Sequence, residues 1–362
     1  MQTLFNILTF VLVIGTIILV HEVGHFIAAK GFGIFCSNFS IGMGPAIFKF
    51  KKGETTYSIG LLPIGGFVSM AGEADQEDNE LMKDLPIERT LKGIGAFKKV
   101  IIMGAGAAMN FLLAIIIFIS LNIVNGSIST NSNIIGSVVK DSSAEVIGIK
   151  AGDEIKQITF VETDKTFIIS NMNDLHEALN KENNIATLEN TSVIVEIKRA
   201  NQVLELEGQV TLNDAKTSFY LGVMSQTRDL TLMESINYGT KSFMDMSTMI
   251  FRTLRMLVTD SKNVLPQLSG PVGIYQVTSE VAKTGDFTNI LMLIALLSVN
   301  VGIFNLLPIP GLDGSQIIIA VAEKVVGREL PTKFKYYLQL SGVIFVLGLM
   351  IIVIFNDIIK LF

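Results

Sequence analysis

The chain has 362 residues, of which 49% are hydrophobic and only 17% charged, and its mean hydropathy is +0.53. Such a composition describes a polytopic membrane protein with room for one modest soluble domain. A formal net charge of -5 offers no basic footprint for nucleic acid, and the single cysteine, Cys36, excludes an internal disulfide and any cysteine-based zinc site.

The chain opens on an apolar run. Residues 5–20 read FNILTFVLVIGTIILV without an ionisable side chain, and Phe26-Ile27-Ala28-Ala29 continues in the same character. Between them stands His21-Glu22-Val23-Gly24-His25, an H-E-x-x-H pattern. On a helix, residues four apart share a face, so both imidazoles can bind one Zn²⁺ while Glu22 flanks it as a base. In a soluble helix the same five residues are as readily a solvated polar turn. Inside a bilayer a charged side chain costs on the order of 2.5 to 3.5 kcal/mol, and ionisable residues there are functional by default. The third histidine, His176, lies in a polar stretch and is expected to face solvent on a helix.

A hydrocarbon core of about 30 Å takes roughly 20 helical residues to cross. Four segments qualify: residues 4–29, 100–124, 290–307 and 338–355. No basic n-region precedes the first, and a cleavage site would fall on the histidine motif, so this helix is expected to be retained. Lys30, Lys49, Lys51, Lys52, Arg89, Lys92, Lys98 and Lys99 crowd the first loop, and Lys324, Arg328, Lys333 and Lys335 the third. No basic residue precedes Leu4. Both termini are therefore expected outside the cytoplasm, with His21 and His25 toward its cytoplasmic side.

Within the first loop, Ile47-Phe48-Lys49-Phe50, a Lys52-Gly53 turn and Thr55 to Ile59 predict a β-hairpin, with residues 60–70 (GLLPIGGFVSM) as a further strand or turn. Two readings stand equal: a sheet dipping into the membrane interface, or a small cytosolic hairpin anchoring the helices. Residues 73–88 are acidic and are expected to form a flexible surface segment. After the second span, residues 134–212 alternate in strand-like runs around a helix near Asn173 to Leu179. There Ser142-Ser143-Ala144-Glu145-Val146-Ile147-Gly148-Ile149-Lys150-Ala151-Gly152-Asp153-Glu154-Ile155 resembles the S-P-A-x-x-A-G-I-x-x-G-D-x-I signature of bacterial PDZ domains, with Ser143 for the proline and Ile147 for the second alanine. Residues 232–258 predict an amphipathic interfacial helix: Phe243, Met246, Ile250, Leu254 and Leu257 share one face, while Asp245, Arg252 and Arg255 interrupt the apolar run. Its methionines form an adaptable surface, expected to pack on the protein's own helices.

Two histidines leave a catalytic zinc one protein ligand short of the usual three plus water. The candidate is Asp313, in Asn305-Leu306-Leu307-Pro308-Ile309-Pro310-Gly311-Leu312-Asp313-Gly314, on the same membrane side by the charge asymmetry. Alone, that segment would be a turn with Asp313 capping the next helix.

These motifs together resemble the site-2 protease family of intramembrane zinc metalloproteases, closest to the RseP/RasP type. The resemblance spans nearly the whole chain: the H-E-x-x-H helix, Leu62-Pro63-Ile64-Gly65-Gly66-Phe67, the PDZ signature, Leu268-Ser269-Gly270-Pro271-Val272-Gly273-Ile274, and Ser298-Val299-Asn300 running into N-x-x-P-x-P-x-L-D-G. The family's G-P-x-x-N-F is Gly106-Ala107-Ala108-Met109-Asn110-Phe111 here, and its L-D-G-G is Leu312-Asp313-Gly314-Ser315, departures that touch helix ends and no zinc ligand. The resemblance implies Zn²⁺ on His21, His25 and Asp313, Glu22 as catalytic base, and substrate contacts at Asn305, Gly65, Gly66, Phe67, Val68 and Asn110. It also implies a substrate docked as a strand on the β-loop around residues 60–70. Substrates would be single-span proteins already trimmed outside the membrane by an upstream site-1 protease, such as anti-sigma factors or remnant signal peptides, in regulated intramembrane proteolysis. The expected site of action is the bacterial plasma membrane.

The expected plan is a polytopic α-helical membrane protein with four transmembrane helices, a membrane-associated β-loop and one extracytoplasmic α/β PDZ domain. Its parts are residues 1–30 (first span), 31–93 (β-loop and linker), 94–125 (second span), 126–213 (PDZ), 214–286 (amphipathic surface region), 287–315 (third span with L-D-G), 316–335 (cytoplasmic loop) and 336–362 (fourth span). Two other readings differ in kind. A membrane zinc protease with its metal site on the soluble side would need a Glu or a third His soon after the motif, and the nearest downstream Glu is Glu54. A peptide-binding scaffold using the PDZ domain would not require Glu22.

Overall fold

The computed structural model describes residues 2–73, 85–181, 190–212, 218–260 and 270–359. The chain divides into two compact units, one of Met1–Leu121 with Ser235–Phe362 and one of Asn122–Glu234.

In the first unit, helix α1 (Gln2–Gly31) leads into strands β1 (Cys36–Lys52) and β2 (Thr55–Met70), and then into α2 (Ala96–Asn125). The two strands are longer than the expected hairpin, because each doubles back on itself. Residues 38–41 have two sets of partners: Asn38↔Ser69 to Ile41↔Gly66 runs antiparallel, whereas Asn38↔Thr56 to Ile41↔Ile59 rises in both numbers and is locally parallel. Phe48↔Ile59 to Lys52↔Thr55 closes the other side. The sheet thus has four rungs in the order 48–52, 55–59, 38–41 and 66–69, and the outer side of the last rung has no partner strand among the described residues. Gly42 and Gly44, with φ of 83° and 86°, turn the first strand at its bend. The concave face packs on α1 and α2 through Phe39, Val68 and Met70 against Ala29, Ile102 and Met103. At the hairpin turn, Glu54 accepts from Lys30 and from Arg89, which fastens the sheet to the end of α1. Of the acidic segment expected over 73–88, residues 74–84 lie outside the described residues.

Helix α5 (Leu232–Thr259) is followed by α6 (Pro271–Lys283), α7 (Phe287–Leu306), α8 (Asp313–Val326) and α9 (Thr332–Ile359). Among the described residues, four helices are long and apolar enough to cross a membrane: Gln2–Gly31, Ala96–Asn125, Phe287–Leu306 and Lys333–Asp357. Three of them contain the segment expected from hydropathy, and the other, Phe287–Leu306, ends one residue short of the expected 290–307. Only 6% of the last apolar window is buried in protein, so its surface is apolar with little protein to cover it, as lipid-facing helices are. A core of Val13, Ile17, Ala114, Phe118, Leu293 and Val299 joins α1, α2 and α7. Helix α5 lays Phe243, Met246, Ile250 and Leu254 on this core and leaves Asp245, Arg252 and Arg255 exposed, the packing expected of its apolar stripe. Of Leu268 to Ile274, the first two residues lie outside the described residues; the rest starts α6, where Gly270 and Gly273 each donate an N–H to Asp357 of α9 at 2.9 Å.

The second unit is an α/β fold. It holds β3 (Ser127–Ser129), β4 (Ile135–Val138), α3 (Ser143–Ile147), β5 (Glu154–Phe160), β6 (Lys165–Ile168), α4 (Met172–Lys181), β7 (Asn190–Arg199), β8 (Gln202–Leu212), β9 (Phe219–Tyr220), β10 (Val223–Ser225) and β11 (Thr227–Asp229). A five-stranded sheet runs β6-β5-β7-β8-β9, and β4 with β10 and β3 with β11 form separate antiparallel pairs. Alternation along β5 and β7 buries Ile158, Phe160, Val193, Val195 and Ile197 with Leu175 of α4. His176 is exposed on α4, as its polar surroundings predict. Strands β9 to β11 lie beyond residue 213 and are built into this unit, because they pair with its strands β8, β4 and β3.

Candidate metal centre

The H-E-x-x-H residues form two turns of α1, and His21 and His25 point the same way, 9% and 6% exposed. Asp313 is the first residue of α8, where the unpaired N–H groups of a helix start favour a carboxylate. The turn before it is tight: Gly311 has a φ of 91°, and a Cβ on Gly314 would collide with the carbonyls of Leu306 and Leu307. Three atoms result at nearly equal spacing. His21 Nε2 and His25 Nε2 lie 3.2 Å apart, and Asp313 Oδ2 is 3.1 Å from the first and 3.2 Å from the second. Ligands about 2.0 to 2.1 Å from a tetrahedral zinc stand about 3.3 Å from one another, so the three atoms match three corners of that polyhedron. Asp313 Oδ2 is buried and faces both ring nitrogens, with no other partner among the described residues. The donor set therefore fits zinc, with two imidazole nitrogens and one carboxylate oxygen.

Helix α2 backs the rings with Ile102, Gly106 and Asn110, four residues apart on one face. His25 Nδ1 lies 2.8 Å from the Ile102 carbonyl oxygen. A carbonyl only accepts, so the proton sits on Nδ1 and the Nε2 lone pair is free. A Cβ on Gly106 would collide with His25 Nε2 and stand 2.7 Å from His21 Cε1. Asn110 is fully buried, with Nδ2 3.4 Å from His21 Nδ1.

His21, His25 and Asp313 form one wall of a cavity of about 510 Å³. Glu22, half-buried, lines it beside the histidines, and the unpartnered edge contributes Gly66, Phe67 and Val68. At Gly66 the edge touches α1, since a Cβ would stand 2.9 Å from Glu22 Cγ and 3.0 Å from Ile18 Cγ2. Away from the rings the cavity wall mixes apolar side chains, among them Ile319, Leu340 and Val343, with charged groups. Glu323 of α8 accepts from Lys335 Nζ at 2.8 Å and from the Leu330 N–H at 3.0 Å, with Lys99 at 3.7 Å. Burial raises the Glu323 pKa, but these donors and charges outweigh it and hold the carboxyl below its ordinary range.

The structure brings together His21, Glu22, His25, Asp313, Gly66, Phe67 and Val68. Gly65, Asn110 and Asn305 are not among the residues lining the cavity; Asn305 is half-buried at the end of α7. Gly106 stands in the sequence only as the first residue of the G-P-x-x-N-F match, and the Ile102 carbonyl and the Lys99–Glu323–Lys335 group are not singled out there. The four-residue spacing of Ile102, Gly106 and Asn110 is the signal that points to Ile102.

The model of peptidase family M50 matches residues 9–349. The chain belongs to that family. It is 36% identical over 360 residues to CPE1693 of Clostridium perfringens, named as a candidate zinc metalloprotease, with 99% of each chain covered. It is 30% identical over 434 aligned residues, 99% of each chain, to the regulator of sigma-W protease RasP of Bacillus subtilis. FN1322 of Fusobacterium nucleatum, another candidate zinc metalloprotease, is 33% identical over 97% of this chain and 98% of its own. An M50 chain with four spanning-length helices is a zinc metalloprotease of the membrane.

Proposed function

We propose that this M50 protease cuts peptide bonds in or near the spanning segments of membrane proteins already shortened outside the bilayer, with zinc held by His21, His25 and Asp313. One observation carries the reading: three donor atoms converge beside Glu22 in a cavity that also contains an open strand edge. Bound zinc supplies Lewis acidity toward a carbonyl and makes water acidic enough to react near neutral pH. Glu22 takes the proton from the attacking water and returns it to the leaving amine. A helical segment hides its carbonyls in i to i−4 hydrogen bonds, so the scissile stretch must unwind. The outward-facing N–H and C=O groups of residues 66–69 offer an unwound chain a new ladder partner, with Phe67 and Val68 beside it. The resemblance that assigns Gly65 and Asn305 to substrate supports a docking path extending beyond the cavity lining, whereas Asn110, which the resemblance also assigned to substrate, is buried against His21.

The Lys/Arg asymmetry supports a cytoplasm-facing metal site in a bacterial plasma membrane, with the Asn122–Glu234 unit outside. That unit is read as a PDZ domain that filters substrates by the state of their ectodomains, after an upstream site-1 protease has acted. Candidate substrates are anti-sigma factors and remnant signal peptides. RasP, named as a regulator of sigma-W, supports the first class.

The deciding test is cleavage of a single-span reporter, pre-trimmed on its outer side, by wild type and Glu22→Gln in liposomes, with zinc content measured in both. Gln keeps size and hydrogen bonding but cannot accept the proton, so turnover is expected to fall on the order of 10² to 10⁴ with zinc retained. Equal cleavage would remove Glu22 from the mechanism.

A further inference from the structure

The cleavage chemistry leaves one buried polar side chain beside the rings without a task. Asn110 is 0% exposed, faces His21 Nδ1 at 3.4 Å and has an Oδ1 without any hydrogen-bond partner. A buried amide with one end unpaired is a cost to the fold. We propose that Asn110 is a positioning residue for His21, selecting the ring tautomer whose Nε2 lone pair faces the metal, and that it acts on this ligand and not on substrate. The proposal rests on the reading of His21 as a zinc ligand.

A neutral imidazole carries one N–H and one lone pair. For Nε2 to bind a metal, Nδ1 must hold the proton and needs an acceptor. At His25 that acceptor is the Ile102 carbonyl, 2.8 Å away. At His21 the group facing Nδ1 is the Asn110 amide. With Nδ2 toward the ring, Nδ1 is the acceptor and the proton lies on Nε2, 3.1 Å from Asp313 Oδ2, an arrangement suited to the metal-free centre. A half-turn of the amide exchanges oxygen and nitrogen within nearly the same outline. Oδ1 then accepts from Nδ1–H, and Nε2 is free to ligate. An amide carries donor and acceptor at one reach, so it serves both states; a carboxylate serves only the loaded state, and a hydrocarbon neither. The two rings are thus oriented from one face of α2, by a carbonyl at Ile102 and an amide two turns further on.

The test uses the full chain in detergent. Zinc affinity is measured by competition with a chromophoric chelator for wild type, Asn110→Leu, Asn110→Asp, Asn110→Ala and His21→Ala. KM for the pre-trimmed reporter is measured at saturating zinc. Loss of the hydrogen-bond partner of a metal-binding histidine weakens metal binding by about 10- to 100-fold. Asn110→Leu and Asn110→Ala are expected to show that loss, Asn110→Asp to stay nearer wild type, and KM to be unchanged in all three. Wild-type affinity in Asn110→Leu, or a raised KM with unchanged affinity, would overturn the proposal in favour of a packing or substrate-contact role. If Asn110→Leu does not fold, the Ala and Asp variants carry the comparison, and equal affinity in those two overturns it. Stoichiometric zinc in His21→Ala would instead overturn the ligand reading, and the proposal with it.

Discussion

Two glycines set the tolerances of the site. Gly106 passes beneath both imidazoles, and a methyl group there would occupy space held by His25 Nε2. Gly106→Ala is therefore expected to lower zinc affinity at least about 10-fold, as disruption of ligand orientation does elsewhere, measurable by chelator competition. Gly66 acts on the base. A side chain there would press within 3 Å of Glu22 Cγ and of the Ser40 carbonyl, so Gly66→Val is expected to keep zinc and lose turnover. A misplacement of about 1 Å costs roughly 10² in rate, which single-turnover cleavage would detect. The histidine pair is legible in sequence because its spacing is local and its apolar surroundings make charge expensive. Asp313 is legible only as a candidate for a missing ligand, since nothing local says that a helix start 288 residues after His25 returns to it. Gly106 is visible in sequence as the start of the G-P-x-x-N-F match, but its role beneath the rings is not legible until α2 is known to lie against α1.

At the scale of elements, the strands of the first loop are foretold by their β-branched and aromatic runs, but their doubling back is not. The bend depends on pairing between residues 38–41 and two separate stretches, and periodicity reports alternation without naming partners. The doubling puts residues 66–70 on an open edge, and that makes a proline scan informative. Successive N–H groups on an edge strand point alternately to the ladder and away from it, and proline removes one donor at a time. Across Phe67, Val68 and Ser69, the scan is expected to divide in two. Substitutions removing an N–H directed at β1 lower thermal stability, while those removing an outward N–H spare it and cut turnover of a pre-trimmed reporter. Unchanged turnover at every position would refute strand docking. In the second unit, the Gly148–Asp153 turn is clamped by Arg199, which donates to both Asp153 oxygens at 2.7 Å and to the Gly148 carbonyl. Burial raises the Asp153 pKa, but Arg199 and the Lys150 N–H lower it further, so the folded value lies below the ordinary one. The clamp's contribution is thus complete above about pH 4 and is lost as pH falls through the depressed folded pKa. Asp153→Ala should reduce amide protection of β5 and β7 by about 2 kcal/mol at neutral pH, with the difference from wild type shrinking as pH falls through the depressed folded pKa.

For the whole molecule, orientation in the membrane is set by the distribution of basic residues. The argument is electrostatic: basic residues near span ends stay on the cytoplasmic side, and they crowd the loops after the first and third spans. Cys36 is a natural label position by sequence, being the only cysteine, but the fold removes that use. It is fully buried beneath the β-sheet, and burial pushes its thiol up to about 11, so little reactive thiolate forms at neutral pH. A topology test therefore starts from Cys36→Ser and adds one cysteine at a time at exposed positions. Val146, 84% exposed in the second unit, and Lys333, exposed at the start of the last spanning helix, are suitable. With a membrane-impermeant maleimide, Val146→Cys is expected to label in intact cells whose outer barrier has been removed. Lys333→Cys should label only after the plasma membrane is permeabilised. The metal site lies on the Lys333 side by the charge argument, so this pattern would bring water and zinc to it from the cytoplasm while substrate ectodomains meet the other unit first. Labelling of Lys333→Cys in intact cells with protection of Val146→Cys would reverse the orientation and, with it, the order in which a substrate meets filter and catalyst.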